Sequence, residues 1–319
     1  MRAIVFHEYG GAPQLVERPA PTPGPREVLV RVRATSVNPI DWKQVDGTYR
    51  PILTARFPFV PGYDLAGEVA ALGPGVTEFS VGQRVHTRLS GQAGGANAEL
   101  VCAGLDVVCA MPEGMDFAQA AGLPLVGLTA LQGLRDGCKL PLEGATERVL
   151  VIGASGGVGH VAVQLAKAAG APVTGVCSAK NVDLVRRLGA DAVVDYTKPD
   201  PWRDVAPFDV VLDAVGGSPS QHLPRLSPRG RYASCVPGPA VFLRQAFNVF
   251  SGRTVAPVLM KPNAKDLAVL DAFVTQRRLE VVIDSAYHRS DSPTRGPGAA
   301  AGAPPGRSSS TGVDPLSGR

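Results

Sequence analysis

The stretch that most constrains this chain is VLVIGASGGVGHVAVQLAKAAGA, residues 149 to 171. Val149 to Ile152 is an unbroken apolar run, which suits a strand buried on both faces of a parallel sheet. Glycines at 153, 156, 157 and 159 follow at once. From Val158 the apolar residues Val161, Ala162, Leu165, Ala166 and Ala169 recur at helical spacing. Strand, glycine turn and helix in that order are the context in which a dinucleotide-binding fingerprint works.

Each glycine has a physical role in that reading. Gly156 lets the main chain approach a pyrophosphate, and Gly159 lets the helix pack closely on the strand. N–H groups at the helix start, backed by the positive end of its dipole, hold the anion. The spelling departs from G-x-G-x-x-G because Ala154 takes the place of a glycine. A βα turn that uses glycine only for tightness is the plainer alternative.

The following residues favour the cofactor reading. A second apolar run, Pro172 to Cys177, ends at Ser178-Ala179-Lys180. Ser178 lies 19 residues after Gly159, where an acidic residue would bind the ribose 2′-hydroxyl of NAD. A hydroxyl and an ammonium suit a 2′-phosphate instead. Lys180 is one of only seven lysines against 25 arginines. These residues point to NADPH rather than NADH, with a solvated loop lysine as the alternative.

With 319 residues and 45% hydrophobic content, the chain has enough material for two domains. The net charge of +4 is mild, and no basic stripe with interleaved aromatics is present, so no nucleic-acid partner is expected. Five cysteines without a C-x-x-C pair argue against a disulfide framework or a structural zinc and fit a reducing compartment. The N-terminal apolar run is too short for a signal peptide or a membrane span. A cytoplasmic protein without membrane association is expected.

Residues 1 to 122 read as mostly β, with short apolar runs separated by Pro- and Gly-rich turns. Helical pattern becomes clear at Asp116 to Ala121, and GLPLVGLTALQGL then reads as a hinge-like segment. Beyond it, strands are expected to end near Ile152, Val176, Asp195, Asp213 and Ser234. Helices are expected at Asn181 to Leu188 and Lys265 to Arg278. Such alternation specifies a doubly wound parallel sheet with its ligand at the strands' carboxyl ends.

The ordered set VNPIDWKQVDGTY (37–49), PGYDLAGEV (61–69), VGQRV (81–85), PLVGLTA (124–130), VLVIGASGGVG (149–159), CSAKN (177–181), LGADAVVDY (188–196), VLDAVGG (211–217) and LEVVIDS (279–285) resembles the medium-chain dehydrogenase/reductase superfamily, in its zinc-free quinone-oxidoreductase branch. The resemblance covers about residues 1 to 285. It implies an α/β fold, a Rossmann doubly wound sheet plus a GroES-like, mostly-β catalytic domain. The corresponding divisions are 1–122 catalytic, 123–260 nucleotide-binding, 261–285 returning to the catalytic domain, and a tail over 286–319.

Zinc alcohol dehydrogenases of this superfamily hold their metal with Cys, the His of a Gly-His-Glu motif, and a further Cys or Asp. The matching positions here are Asn38, Gly62-Tyr63-Asp64 and Leu125, which do not form a three-ligand zinc site. None of the five histidines (7, 86, 160, 222, 288) pairs at ligand spacing, so surface or packing roles are expected. No metal is therefore expected. Without a Lewis acid, alcohol oxidation loses its means of stabilising an alkoxide. Hydride transfer to a quinone or to the C=C bond of an α,β-unsaturated carbonyl asks less. The resemblance therefore implies an NADPH-dependent reductase of such small molecules. An enoyl-thioester reductase and a non-catalytic NADPH-binding redox sensor are the alternatives.

Tyr49 matches a tyrosine near the substrate in related enoyl reductases, either as a proton donor or as part of the pocket rim. The resemblance also assigns Asn38 and Asp41 to ordering the loop and contacting the nicotinamide ribose. Asp41 is otherwise a turn residue after Pro39. Thr129 corresponds to a threonine beside the nicotinamide, and Ser155, Gly156, Gly157 and Val158 to the pyrophosphate turn. Ser178 and Lys180 would hold the 2′-phosphate, Tyr196 would flank the adenine, and Val215 and Ser234 complete the set. Relatives are often dimers. The run AVFLRQAFNVF (240–250) suits either a sheet-edge homodimer contact or a helix over the cleft.

The C-terminus departs from the family. Residues 286–319 hold six Gly, five Pro and six Ser, half of the segment, with Tyr287, Val313 and Leu316 as the only large apolar residues. That composition predicts a segment unable to order itself, and a catalytic domain short of its usual closing strand. A flexible extension and an out-of-frame reading of a high-GC gene both account for it.

Overall fold

The computed structural model describes residues 1–91, 94–203, 205–248, 252–288 and 310–313. The chain divides into two units, one from 1–125, 262–275 and 281–319, the other from 126–261 and 276–280. In the first unit β1 (Arg2–Val5) pairs with β2 (Gln14–Glu17), followed by β3 (Glu27–Val37), α1 (Pro39–Val45), β4 (Asp64–Leu72), β5 (Arg84–Arg88), β6 (Leu100–Gly104), β7 (Val108–Ala110) and α2 (Phe117–Gly122). Helix α3 (Pro124–Gln132) leads into the second unit. There β8 (Val149–Ile152), α4 (Gly157–Ala168), β9 (Val173–Cys177), α5 (Val182–Arg187), β10 (Ala192–Asp195), β11 (Phe208–Asp213), β12 (Leu226–Ser234), α6 (Pro239–Ala246) and β13 (Thr254–Pro257) follow. Helix α7 (Ala264–Thr275), β14 (Ser285–His288) and β15 (Ser310–Val313) return to the first unit.

The second unit is a parallel sheet of order β10-β9-β8-β11-β12-β13. Numbered within the sheet, this is the 3-2-1-4-5-6 order of the Rossmann fold. All four residues of β8 are buried, as expected of an apolar strand covered on both faces. Its core gathers Leu150, Val176, Val211, Tyr232 and Val255. The order reverses between β8 and β11, so the carboxyl ends of these two strands mark the switch point where such sheets take ligands.

The first unit's larger sheet has the order β14-β15-β3-β4-β5-β7, with β6 also on β3. Along β3, Val28, Val30, Val32 and Ala34 are buried while Arg31 is exposed, the period of two that a half-covered strand requires. Val28, Val30 and Val32 share a core with Tyr63, Leu65, Val69, Val85 and Val101.

Three segments differ from their sequence reading. The hinge-like 122–134 stretch is largely helix α3. Val126, Leu128, Ala130 and Leu131 are all buried, so no polar face existed to reveal a helical period. Asp41 is the third residue of α1 rather than part of a loop turn. Inside the 286–319 tail, β15 forms a strand between β14 and β3, so this part of the tail does contribute to the first unit's sheet. Main-chain hydrogen bonding needs no apolar side chain, which composition does not register. The readings for 289–309 and 314–319 lie outside the described residues. Of the 240–250 run, residues 240–246 lie within helix α6, which packs on β13.

Candidate active site

The ends of β3 and β4 and the start of α1 bring a set of polar side chains together in the first unit. Asp64, fully buried, receives hydrogen bonds on Oδ2 from Ser36 Oγ (2.9 Å), Asn38 Nδ2 (2.9 Å) and the Leu125 N–H (3.2 Å). Asn38 Nδ2 also donates to Ser36 Oγ at 3.0 Å. The N–H of Asn38 donates to Asp41 Oδ2 at 2.6 Å, the return half of a helix-capping arrangement. Arg88 stands directly across the β4–β5 ladder from Asp64. Its guanidinium lies 4.5 Å from the centre of the Tyr63 ring, and Nη1 donates to Leu89 O at 2.6 Å. The Tyr63 hydroxyl donates to Gln44 Oε1 at 2.7 Å.

Burial raises both carboxyls, Asp41 to about 8 and Asp64 to about 6. For Asp64 the positive charge of Arg88 and the hydrogen bonds from Ser36, Asn38 and Leu125 oppose that rise. At neutral pH Asp64 is therefore the ionised partner of Arg88, and Asp41 is largely protonated. A carboxyl raised on folding stabilises the fold while it keeps its proton. Asp41's contribution is complete below its ordinary 3.8 and is lost as the pH climbs through about 8. Asp41→Asn mimics the protonated form and keeps an acceptor for the Asn38 N–H. Thermal melts across about pH 5 to 8 are expected to show a smaller alkaline loss of Tm in this variant than in the parent. Parallel curves would exclude Asp41 as the titrating group.

The structure brings Asn38 and Asp41 together and puts Tyr49 in another group. Tyr49 follows α1, with Lys43 Nζ 5.2 Å from its ring centre and 5.4 Å from that of Trp42. Asp64, Ser36 and Arg88 were not singled out as site residues, because only the ladder register and three distant chain segments join them.

In the second unit the nominated residues gather at the carboxyl edge of the sheet. Gly153–Gly156 follows β8, Ser178 and Lys180 follow β9, Tyr196 follows β10, Val215 follows β11, and Ser234 ends β12. Gly156 is the N-cap of α4, with extended backbone and no capping side chain of its own, and its carbonyl lies 3.1 Å from His160 Nδ1. Ala154 is accommodated by a partner invisible in the motif. A Cβ on Gly175 of β9 would come within 2.9 Å of the Ala154 Cβ, so glycine at 175 makes room for alanine at 154. Asn181 Nδ2 donates to Ser155 Oγ at 2.9 Å and to Ser178 Oγ at 3.5 Å, joining the glycine turn to the β9 end. Lys180, Tyr196 and Val215 are exposed, while Ser234 is buried. Asp213 Oδ1 accepts the N–H groups of Val215 and Gly216 (both 2.9 Å), and Oδ2 accepts the Tyr232 hydroxyl at 2.6 Å. That carboxylate fixes the loop at the switch point. Thr129 is buried in α3.

Comparisons with known proteins agree with this architecture. The family "Alcohol dehydrogenase GroES-like domain" matches residues 24–169, and "Zinc-binding dehydrogenase" matches 157–267. The chloroplast envelope quinone oxidoreductase homolog of Arabidopsis thaliana is 39% identical, over 90% of this chain and 91% of its own length. The NADPH-dependent alkenal/one oxidoreductase of the same plant is 36% identical over 68% of this chain and 58% of its own. The quinone oxidoreductase structure from Coxiella burnetii superposes with a TM-score of 0.84 at 30% identity, covering 98% of this chain and 99% of that one. With its Rossmann and GroES-like units, the chain belongs to the quinone-oxidoreductase branch of the medium-chain dehydrogenase/reductase superfamily, a group of nicotinamide-dependent oxidoreductases.

Proposed function

We propose that the protein is an NADPH-dependent, zinc-independent reductase of quinones or of the C=C bond of α,β-unsaturated carbonyls. The observation that carries this reading is the Asn38–Ser36–Asp64 cluster. At the three positions where relatives bind catalytic zinc stand an amide donating to Asp64, a phenol donating to Gln44 and an aliphatic side chain. This donor set does not fit tetrahedral zinc, so no step is drawn through a metal.

The nucleotide edge suits a phosphorylated dinucleotide, because the α4 start lacks a side-chain cap and Ser178 and Lys180 after β9 offer a hydroxyl and an ammonium, while the carboxylate of Asp195 at the end of β10 is engaged by the Ala179 main chain. Bound NADPH supplies the hydride that an electron-poor carbon accepts. The main chain at 155–158 holds the pyrophosphate, and Ser178 and Lys180 hold the 2′-phosphate. Asn38 and Asp41, at the start of α1, would contact the nicotinamide ribose, and Thr129 would contact the nicotinamide. Tyr49 donates a proton to the α-carbon or a hydrogen bond to the carbonyl oxygen as negative charge builds there.

The decisive assay incubates the protein with NADPH or NADH and a panel of quinones and 2-alkenones, and follows oxidation of the cofactor. Consumption with NADPH preferred is expected; preference for NADH, or no consumption with any acceptor, overturns the reading. Lys180→Ala is expected to raise the KM for NADPH roughly 10- to 100-fold and leave that for NADH unchanged. Tyr49→Phe is expected to lower kcat with 2-alkenones by about 100-fold if the phenol delivers the proton. A change under about threefold would assign Tyr49 to the pocket rim, because a rim contact makes no bond that strengthens in the transition state.

A further inference from the structure

We propose that His86, Cys109 and Asp271 form a divalent transition-metal site, of the zinc or cobalt class, within the first unit. His86 and Cys109 face each other directly across the β5–β7 ladder, and α7 packs on β7 to bring Asp271 beside them. Their ligand atoms all lie within 4.8 Å of one another. A tetrahedral zinc with one nitrogen, one oxygen and one sulfur ligand sets those separations at about 3.3 to 3.6 Å, so side-chain movements of about 1 Å close the set.

The ring contacts of His86 support the assignment. Nδ1 lies 3.0 Å from the carbonyl oxygen of Ala120, which only accepts, so Nδ1 carries a hydrogen. The other ring nitrogen, Nε2, faces Asp271 Oδ2 at 3.1 Å. A ring N–H held by a main-chain carbonyl is also the usual support for a metal-bound histidine. Independently, Asp271 is less than one-tenth exposed; its Oδ1 is a buried atom without a hydrogen-bond partner, and the Cys109 thiol, its pKa pushed up by burial and by the same carboxylate, stands against it. A metal would satisfy that carboxylate.

Charge balances, since a thiolate and a carboxylate neutralise a divalent ion, the thiol proton passing to solvent on binding. Cys109 is half-buried, and with three protein ligands a water would take the fourth position of a tetrahedral ion. The site shares no residue with Asn38, Tyr63 or Leu125, so the proposed hydride chemistry does not depend on it. Its effect would be to fasten α7 to the strands of the first unit.

The test uses the full chain, stripped with a chelator and dialysed against Co²⁺ or Zn²⁺ with a non-coordinating reductant. One retained equivalent, a thiolate-to-cobalt charge-transfer band and a metal-dependent rise in Tm are expected. Cys109→Ala should abolish the band and weaken retention by more than the ~10- to 100-fold that loss of an outer-shell contact costs. Asp271→Asn should weaken retention by a similar factor. Cys102→Ala and Asn38→Ala should retain the metal, which separates this site from another cysteine and from the family's catalytic position. Failure of the parent to retain metal, or undiminished retention in Cys109→Ala, overturns the proposal and leaves an imidazolium–carboxylate pair.

Discussion

Asp64→Ala is expected to lower the unfolding free energy by roughly 3 kcal/mol, on the scale of leaving buried hydrogen-bond donors without their acceptor. Ser36 Oγ and the Leu125 N–H would lose this acceptor, and Asn38 Nδ2 would keep only its bond to Ser36 Oγ. Each buried donor left unsatisfied costs about 1–3 kcal/mol on its own. Arg88, itself buried, would lose the opposing charge across the ladder. Relaxation and water entry prevent these costs from simply adding. Against a typical total of about 5–15 kcal/mol, the loss would leave the first unit only marginally folded. Chemical denaturation followed by tryptophan fluorescence measures it, Trp42 lying in α1 beside the cluster in sequence. Asp64→Asn keeps the side chain's shape and one acceptor, so it should fall between parent and alanine variant. A loss below about 1 kcal/mol in Asp64→Ala would show that the cluster contributes little to stability.

Gly159→Ala is expected to abolish dinucleotide binding and destabilise the second unit. Helix propensity alone favours alanine by about 1 kcal/mol. The geometry opposes it, because the new Cβ would fall deep inside van der Waals contact with the carbonyl oxygen of Gly153. Both sides of that clash are backbone, so no rotamer relieves it. Helix α4 and the turn after β8 must move apart, which carries an overpacking penalty of about 1–3 kcal/mol or more. The same movement displaces the main-chain N–H groups at 155–158 from a pyrophosphate. Thermal melts with and without NADPH separate the two effects, with a lower Tm and no ligand-induced rise expected. A normal ligand-induced rise would show that the turn does not need this close packing.

The strand, turn and helix over 149–171 were legible in the sequence because buried strands and amphipathic helices have different apolar periods, and because glycine marks the junction. Four of the five expected strand ends, at Ile152, Asp195, Asp213 and Ser234, coincide with those observed, and the fifth lies one residue on at Cys177. Helix α3 was not legible, because a helix buried on all sides has no contrasting face. Pairings between distant residues were not legible either. Gly175 compensates for Ala154 from the neighbouring strand, and Arg88 meets Asp64 only through the β4–β5 register. His86 was read as a packing residue because Cys109 and Asp271 lie 23 and 185 positions away along the chain. Nominated residues that follow successive parallel strands reached one sheet edge because the fold's topology places every such loop there.

Strand β15 places residues 310–313 against β3, whose own residues begin at 27. The partner of this early strand is therefore synthesised long after it, once the whole second unit has been made. Until then, the 34–37 end of β3 offers unpaired main-chain groups to any other extended segment nearby, while β6 already covers residues 27–31. The second unit, built almost entirely from one continuous stretch, meets no such delay. Synthesis from the N-terminus thus lets the nucleotide-binding half mature while its companion waits, and that interval is when chaperone protection matters most.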